Sequence, residues 1–138
     1  MTRVLPAARP QVFAAFASAD RLAEWWGPRG FTVPSVDFEA REGAEYRIEM
    51  RPPEGEPFLL RGEVTEAEPP RRLSFTFIWD PPDADDVETR ADLSFEERDG
   101  STEVSLRQGA FKTAERLALH REGWGESFDK LERLLAAE

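Results

Sequence analysis

Few residues in this sequence could act chemically, and most of them can only form hydrogen bonds. His120 is the single histidine of the 138-residue chain, and histidine is the usual general base or proton carrier near neutral pH. Tyr46, Thr89 and Gln108 share the alternation of the apolar residues around them, so their side chains are expected to point toward the core. These four side chains predict a few polar groups that converge on an apolar space. Each could equally be structural, because buried polar groups need partners even without a ligand.

Other reaction types lack the residues that they require. The chain has no cysteine, which excludes disulfides, thiol nucleophiles and thiolate metal ligands. No serine lies in a nucleophile-elbow pattern, and no glycine-rich loop could cradle a phosphate. One histidine and scattered carboxylates give no metal-ligand spacing. The acidic pairs Asp85-Asp86 and Glu96-Glu97 are expected in a loop and at a strand end, as solvated surface. The sequence therefore predicts no metal and no cofactor, and it favours a binding protein over an enzyme.

The charge balance excludes several kinds of partner. The chain carries 28 acidic and 18 basic residues, a formal net charge of −10, and such a surface repels nucleic-acid phosphates and anionic membranes. No run approaches the ~20 apolar residues of a membrane span, and Pro6, Arg9 and Pro10 interrupt any signal-like segment. Hydrophobic residues make up 40% of the chain, enough for the core of one domain over residues 1–138. The sequence predicts a cytoplasmic protein that binds neither nucleic acid nor membrane.

Between residues 31 and 108 the apolar residues recur at every second position, which is typical of half-buried β-strands. Proline and glycine turns separate these runs, and Asp99-Gly100 is the clearest hairpin signal. Short connections between consecutive strands predict an antiparallel meander. The residues that share the inward parity are Tyr46, Ile48, Met50, Leu60, Gly62, Val64, Leu73, Phe75, Phe77, Trp79, Val87, Thr89, Ala91, Leu93, Phe95, Val104, Leu106 and Gln108. Asp37 shares the parity of Phe31 and Val33, but a bulge would reverse it.

Helices are expected at both ends of this meander. After a short strand over residues 2–5, Pro10 suits a first helical turn, and Ser18 or Asp20 can cap a second short helix that Gly27-Pro28 ends. The last segment, from Thr113 as N-cap to about residue 136, predicts one long helix. Its apolar stripe consists of Leu117, His120, Trp124, Phe128, Leu131 and Leu135. Only the sheet can cover this stripe, so we expect a wedge-shaped space between the sheet and the helix, closed at one end by the short helices.

Two aromatic motifs lie near opposite ends of the sequence. Trp25 and Trp26 are adjacent where a short helix meets the sheet, and each indole can bury ~150–250 Å² of largely apolar surface. Trp124 is flanked by Gly123 and Gly125, although a glycine inside a helix costs about 1 kcal/mol relative to alanine. Close approach of another element or a helix kink would explain these glycines. The tryptophans are candidates for a pocket wall, and packing in the core is the alternative.

These motifs resemble the activator of heat shock protein 90 ATPase homologue family, an AHSA-type family of the START-like, or SRPBCC, superfamily. The resemblance covers nearly the whole chain and implies a helix-grip fold of α+β class, as in birch-pollen-allergen-like proteins. That fold is a curved antiparallel sheet of six to seven strands around a long C-terminal helix, with two short helices after the first strand and an internal cavity. The motifs are Pro6-Ala7-x-x-x-Gln11-Val12-Phe13, Trp25-Trp26-Gly27-Pro28-x-Gly30-Phe31, Gly43-x-x-Tyr46 and Gly123-Trp124-x-x-x-Phe128-x-x-Leu131.

Three functions remain open. The leading hypothesis is a carrier or sensor that binds an apolar or aromatic small molecule, which the resemblance also implies, since superfamily members generally bind such ligands. The alternatives are a protein-interaction module or chaperone accessory, and a hydrolase or lyase that uses His120. A monomer and a homodimer are both compatible with a short first strand that leaves a sheet edge exposed. The candidate ligand-binding residues are Trp25, Trp26, Phe31, Tyr46, Ile48, Met50, Leu60, Phe75, Phe77, Trp79, Thr89, Leu93, Gln108, His120, Trp124 and Phe128.

Overall fold

The computed structural model describes all 138 residues and contains one seven-stranded antiparallel sheet and three helices. The elements are β1 (Thr2–Leu5), α1 (Arg9–Ala17), α2 (Ala19–Trp25), β2 (Thr32–Asp37), β3 (Glu45–Arg51), β4 (Phe58–Glu68), β5 (Arg72–Asp80), β6 (Thr89–Arg98), β7 (Ser101–Gly109) and α3 (Ala114–Ala136). The strands are arranged in the order β1-β7-β6-β5-β4-β3-β2, so every neighbouring pair except β1-β7 is consecutive in sequence. This is the meander that the short connections predict, and the α+β helix-grip fold is confirmed.

The alternating residues bury one face of the sheet, with two departures from the expected pattern. Val87 is exposed rather than inward, because the pairing of β5 with β6 ends at Phe77 opposite Thr89 and leaves Val87 in the loop. In β2 the register shifts between Thr32 and Ser35, so Asp37 is exposed. The bulge that could reverse the parity of Asp37 is therefore present.

The long helix α3 begins where its capping residue predicts. The side-chain oxygen of Thr113 accepts a hydrogen bond from the backbone N–H of Arg116 at 3.1 Å, which satisfies one of the free donors of the first turn. Trp124, Phe128, Leu131 and Leu135 are its buried apolar residues. This stripe packs into the concave face of the sheet and forms the core with it. No helix is long and apolar enough to cross a membrane.

The second short helix ends between the two adjacent tryptophans. Trp25 is the last residue of α2, whereas Trp26 has an extended backbone and Gly27 has a φ of 95°. Ser18 occupies the N-cap position of this helix, but its side chain makes no capping hydrogen bond. Because the backbone changes direction at Trp26, the two indole rings lie in different parts of the molecule. This difference determines the geometry of the candidate site described below.

Candidate functional site

A cavity of about 460 Å³ lies between α3, the strand β5 and the loops that connect α2 to β2, β3 to β4 and β5 to β6. Its position is the one expected for the space between sheet and helix. Part of its rim is exposed, since Leu119 is 55% exposed, so the cavity opens to solvent there. The lining residues are Trp26, Gly27, Pro28, Phe31, Met50, Glu56, Pro57, Phe58, Phe77, Trp79, Pro81, Asp83, Asp86, Arg116, Leu119, His120, Gly123, Trp124 and Ser127.

The adjacent tryptophans have separate roles. Trp25 is fully buried, its indole N–H donates to the carbonyl oxygen of Ala15 at 2.9 Å, and its ring packs edge-on against Phe16. Trp26 lines the cavity, and its ring meets that of Trp124 edge-on at a centroid distance of 5.1 Å. Trp25 therefore belongs to the core, while Trp26 and Trp124 join the two distant aromatic motifs in one wall of the cavity.

Trp26 is the one tryptophan whose indole N–H has no partner in the protein. The other three, Trp25, Trp79 and Trp124, each donate to a protein acceptor. Only 6% of Trp26 is exposed. The fully enclosed unpartnered side-chain atoms are Arg9 Nε and Thr65 Oγ1 alone, so the Trp26 nitrogen keeps some accessible surface. A donor left free at a cavity wall suits a ligand that carries a hydrogen-bond acceptor.

A further part of the cavity wall is built from rings of strands β4 and β5 and of the loop before β2. Phe77 and Trp79 meet edge-on at 5.1 Å, and Trp79 in turn meets Phe58 at 5.3 Å. Phe31 reaches Phe58 from the other side at 6.1 Å. Such edge-to-face pairs add stability beyond the area that they bury. They make a preformed aromatic lining that does not depend on a ligand.

His120 lines this cavity, but both of its ring nitrogens are occupied. Trp79 Nε1 donates to His120 Nε2 at 3.0 Å, and His120 Nδ1 lies 2.8 Å from the carbonyl oxygen of Arg116. Since the indole can only donate and the carbonyl can only accept, the ring is neutral and carries its proton on Nδ1. Burial lowers the pKa of His120 below its ordinary value, and the positive charge of Arg116 lowers it further. Neither nitrogen is free in this arrangement to take a proton from a substrate.

The other predicted polar residues bond to one another or to the backbone. Trp124 Nε1 donates to Gln108 Oε1 at 2.7 Å, and Gln108 Nε2 donates to Thr89 Oγ1 at 2.9 Å. The hydroxyl of Tyr46 donates to the carbonyl oxygen of Thr76 at 2.6 Å, and burial raises the pKa of Tyr46 well above its ordinary value. Hydrogen bonds within the protein thus account for Tyr46, Thr89 and Gln108, and of the four polar residues that were expected to converge only His120 lines the cavity.

Seven of the sixteen candidate residues line the cavity, namely Trp26, Phe31, Met50, Phe77, Trp79, His120 and Trp124. Gln108 lines a smaller space of about 240 Å³ on the other side of His120 and Trp124. The other eight are buried in the packed interior and are not among the residues that line either space: Trp25, Tyr46, Ile48, Leu60, Phe75, Thr89, Leu93 and Phe128. The alternation of apolar residues predicts an inward side chain for the cavity residues and for the core residues alike. It cannot tell a position in the packed core from one in the cavity wall.

The cavity has a charged rim that was not predicted from the sequence. Arg116 on α3 donates to Asp85 and Asp83 of the β5–β6 loop, and it lies 3.4 Å from Asp86. The hydrogen bond from Arg116 holds the pKa of Asp85 below its ordinary value. The expectation that Asp85-Asp86 is merely solvated surface is wrong for Asp86, whose side chain is only 8% exposed and lines the cavity. Loop residues lack periodicity, so the only sign of this contact in the sequence is the run of acidic residues in the loop after strand β5.

The glycines that flank Trp124 differ in their surroundings. A Cβ on Gly123 would meet the Pro28 ring at 3.5 Å, so the loop that follows α2 does pack against this point of the helix. A Cβ on Gly125 would meet nothing within 4 Å. Both positions leave room for a methyl group at ordinary contact distance, so close approach requires a glycine at neither of them. No group of three or more histidine or acidic side chains has a geometry that could hold a metal ion.

A curved antiparallel sheet around a long C-terminal helix, with a cavity between them, defines the chain as a START-like helix-grip protein. The family model described as activator of Hsp90 ATPase homolog 1-like protein (AHSA1) matches residues 6–136. The chain belongs to this family, as its tryptophan and glycine motifs indicate.

Several solved structures share the fold over nearly the whole chain. The AHSA1 protein of Silicibacter pomeroyi is 29% identical, with a TM-score of 0.86 over 99% of this chain and 96% of that chain. A protein of Chromobacterium violaceum is 26% identical, with a TM-score of 0.88 over 98% and 94%. A protein of Rhodobacter sphaeroides is 30% identical, with a TM-score of 0.83 over 99% and 91%. A comparison with curated proteins gives no match.

Proposed function

We propose that this protein binds an apolar or aromatic small molecule in the cavity between the sheet and α3, and that it acts as a carrier or sensor in the cytoplasm. The observation that carries the proposal is an aromatic space of about 460 Å³ that the chain's own side chains leave open. Sites for small molecules typically enclose ~300–1,000 Å³, with mostly apolar walls and a few polar groups. The protein's own rings line this space but do not fill it.

The polar groups of the wall support a binding role more than a catalytic one. Trp26 offers an unpartnered donor. The hydroxyl of Ser127 donates to the carbonyl oxygen of Gly123 and can still accept a hydrogen bond. His120 has no free nitrogen. These groups can orient a ligand, but they do not form a nucleophile and base pair.

A neutral fluorescent probe tests the proposal, because phenylnaphthylamine brightens when it leaves water for an apolar site. We expect saturable binding to the wild-type protein at a ratio of one to one. Ser127→Leu places a larger apolar side chain at the cavity wall and should weaken the affinity at least about tenfold, the equivalent of ~1.4 kcal/mol. Glu122→Leu, an exposed change on the same helix, is the control and should bind like the wild type.

Two results would contradict the proposal. One is the absence of saturable binding to the folded wild-type protein. The other is equal affinity in the wild type and a Ser127→Leu variant whose far-ultraviolet circular dichroism shows that it is folded. Because Ser127 is only 5% exposed, that spectrum belongs to the experiment and separates loss of the site from loss of the fold.

A second candidate is a role as a chaperone accessory. The description of the matching family model names an activator of the Hsp90 ATPase, and a net charge of −10 would steer this chain toward a basic partner surface. The test is the ATPase rate of a purified Hsp90 from the same organism. A stimulation that saturates with this protein would favour the candidate, and an unchanged rate would count against it.

A further inference from the structure

The ionisable side chains at the cavity have a strong imbalance of sign. Apart from neutral His120, the charged residues that line it are Glu56, Asp83, Asp86 and Arg116, three acids against one base. Asp85 also hydrogen-bonds to Arg116 without lining the cavity itself. The mouth of the cavity is therefore negative.

The single base at the mouth is already engaged by carboxylates. The guanidinium of Arg116 contacts Asp83, Asp85 and Asp86, and its side chain is only 17% exposed. The nearby Lys112 donates to the carbonyl oxygen of Ala84 and does not line the cavity. An anionic ligand would thus meet carboxylates without a free cation to pair with, whereas Glu56 makes no ion pair and is exposed.

The aromatic wall of the cavity, like its negative mouth, favours a positively charged ligand. Trp26, Trp79 and Trp124 line the cavity together with Phe31, Phe58 and Phe77. The faces of aromatic rings carry partial negative charge and attract organic cations, tryptophan most strongly. Rings and carboxylates together favour a ligand that is apolar along its body and positive at one end.

We propose that the cavity selects hydrophobic cations, in which an aromatic or apolar body fills the space and an ammonium group lies at the mouth near Glu56, Asp83 and Asp86. This inference rests on the proposed function, because it names the ligand class of the same cavity. The carboxylates act through charge at the rim, and the aromatic walls supply most of the contact area. Selectivity then depends on the sign of the ligand's charge more than on its shape.

Three probes of nearly equal shape separate the inference from the proposed function. They are naphthylmethylamine, naphthylmethanol and naphthoic acid, which near neutral pH are a cation, a neutral molecule and an anion. Calorimetric titration of the full chain at low salt should give the order cation, neutral, anion, with about tenfold between successive members, as expected for opposite charges within ~8 Å of each other in a partly solvated site. Raising the salt concentration to 0.5 M should reduce the differences in affinity between the three probes.

Charge variants locate the effect at the mouth. Glu56→Gln should lower the affinity for the amine about threefold and leave that for the alcohol unchanged. Glu54→Gln, another exposed change in the same loop, should change neither. An alcohol that binds as tightly as the amine, or an acid that binds best, would overturn the inference while the proposed function stands. If none of the three probes binds, both the inference and the proposed function are contradicted.

Discussion

His120 is fixed by a donor on one ring nitrogen and an acceptor on the other, which makes it a structural part of the cavity wall. The N–H of Trp79 requires a lone pair on Nε2, so protonation of the ring would leave two donors facing each other. Burial adds to this effect and lowers the pKa of His120. A residue that could have been a general base thus connects Trp79 on the sheet to Arg116 on the helix.

Because His120 is the only histidine, its titration can be followed without assignment. We expect its NMR signals to report a neutral ring with the proton on Nδ1 and a pKa below the ordinary 6.5. The unfolded chain then binds more protons than the folded one below pH 6.5, so acidification through this range should lower the free energy of unfolding. Trp79→Phe removes the indole donor and should raise the pKa of His120. A wild-type pKa at or above 6.5 would contradict this account.

Strands β3, β4 and β5 meet closely at Gly62, and the approach depends on the missing side chain. A Cβ on Gly62 would lie 2.2 Å from the carbonyl oxygen of Thr76, the same atom that accepts the hydroxyl of Tyr46. Tyr46 is paired with Gly62 across the β3–β4 ladder. The glycine therefore lets a fully buried tyrosine reach across β4 to the backbone of β5.

Two glycine substitutions with opposite expected effects on the free energy of unfolding test this packing. Gly62→Ala forces backbone to move and strains the Tyr46 hydrogen bond, so the free energy of unfolding should fall by about 2 kcal/mol or more. Gly125→Ala meets nothing within 4 Å and should raise it by about 0.5–1 kcal/mol, the helix propensity difference. Urea unfolding of both variants gives the measurement. A destabilised Gly125→Ala variant would instead reveal a backbone requirement in α3 that helix packing does not explain.

The helices and strands of the molecule were predictable from sequence to a much greater degree than the residues of the cavity. Alternation and helical spacing report which face of an element is buried, and that was enough for the strands and for α3 with its cap at Thr113. They do not report whether a buried face meets other side chains or an open space. Phe75 and Phe77 share one parity, yet only Phe77 lines the cavity.

The rim of the cavity could not be predicted from the sequence for a different reason. Glu56, Asp83 and Asp86 belong to loops, and their approach to Arg116 or to the mouth follows from the three-dimensional course of the chain. Gln108 was expected among the ligand-binding groups, and the structure instead pairs it with Trp124 and Thr89. Such partners can be identified only when side chains from distant segments are placed together.

Ligand binding in the cavity is tested most directly by a heteronuclear NMR titration of the full chain with phenylnaphthylamine. We expect saturable shifts at the cavity, largest for the indole N–H of Trp26 and for the amides of Leu119 and Ser127, with the exposed Arg90 unaffected. The four indole signals make the Trp26 response easy to separate. Shifts confined to the outer face of the sheet, or no saturable shift at all, would contradict a ligand-binding cavity in this protein.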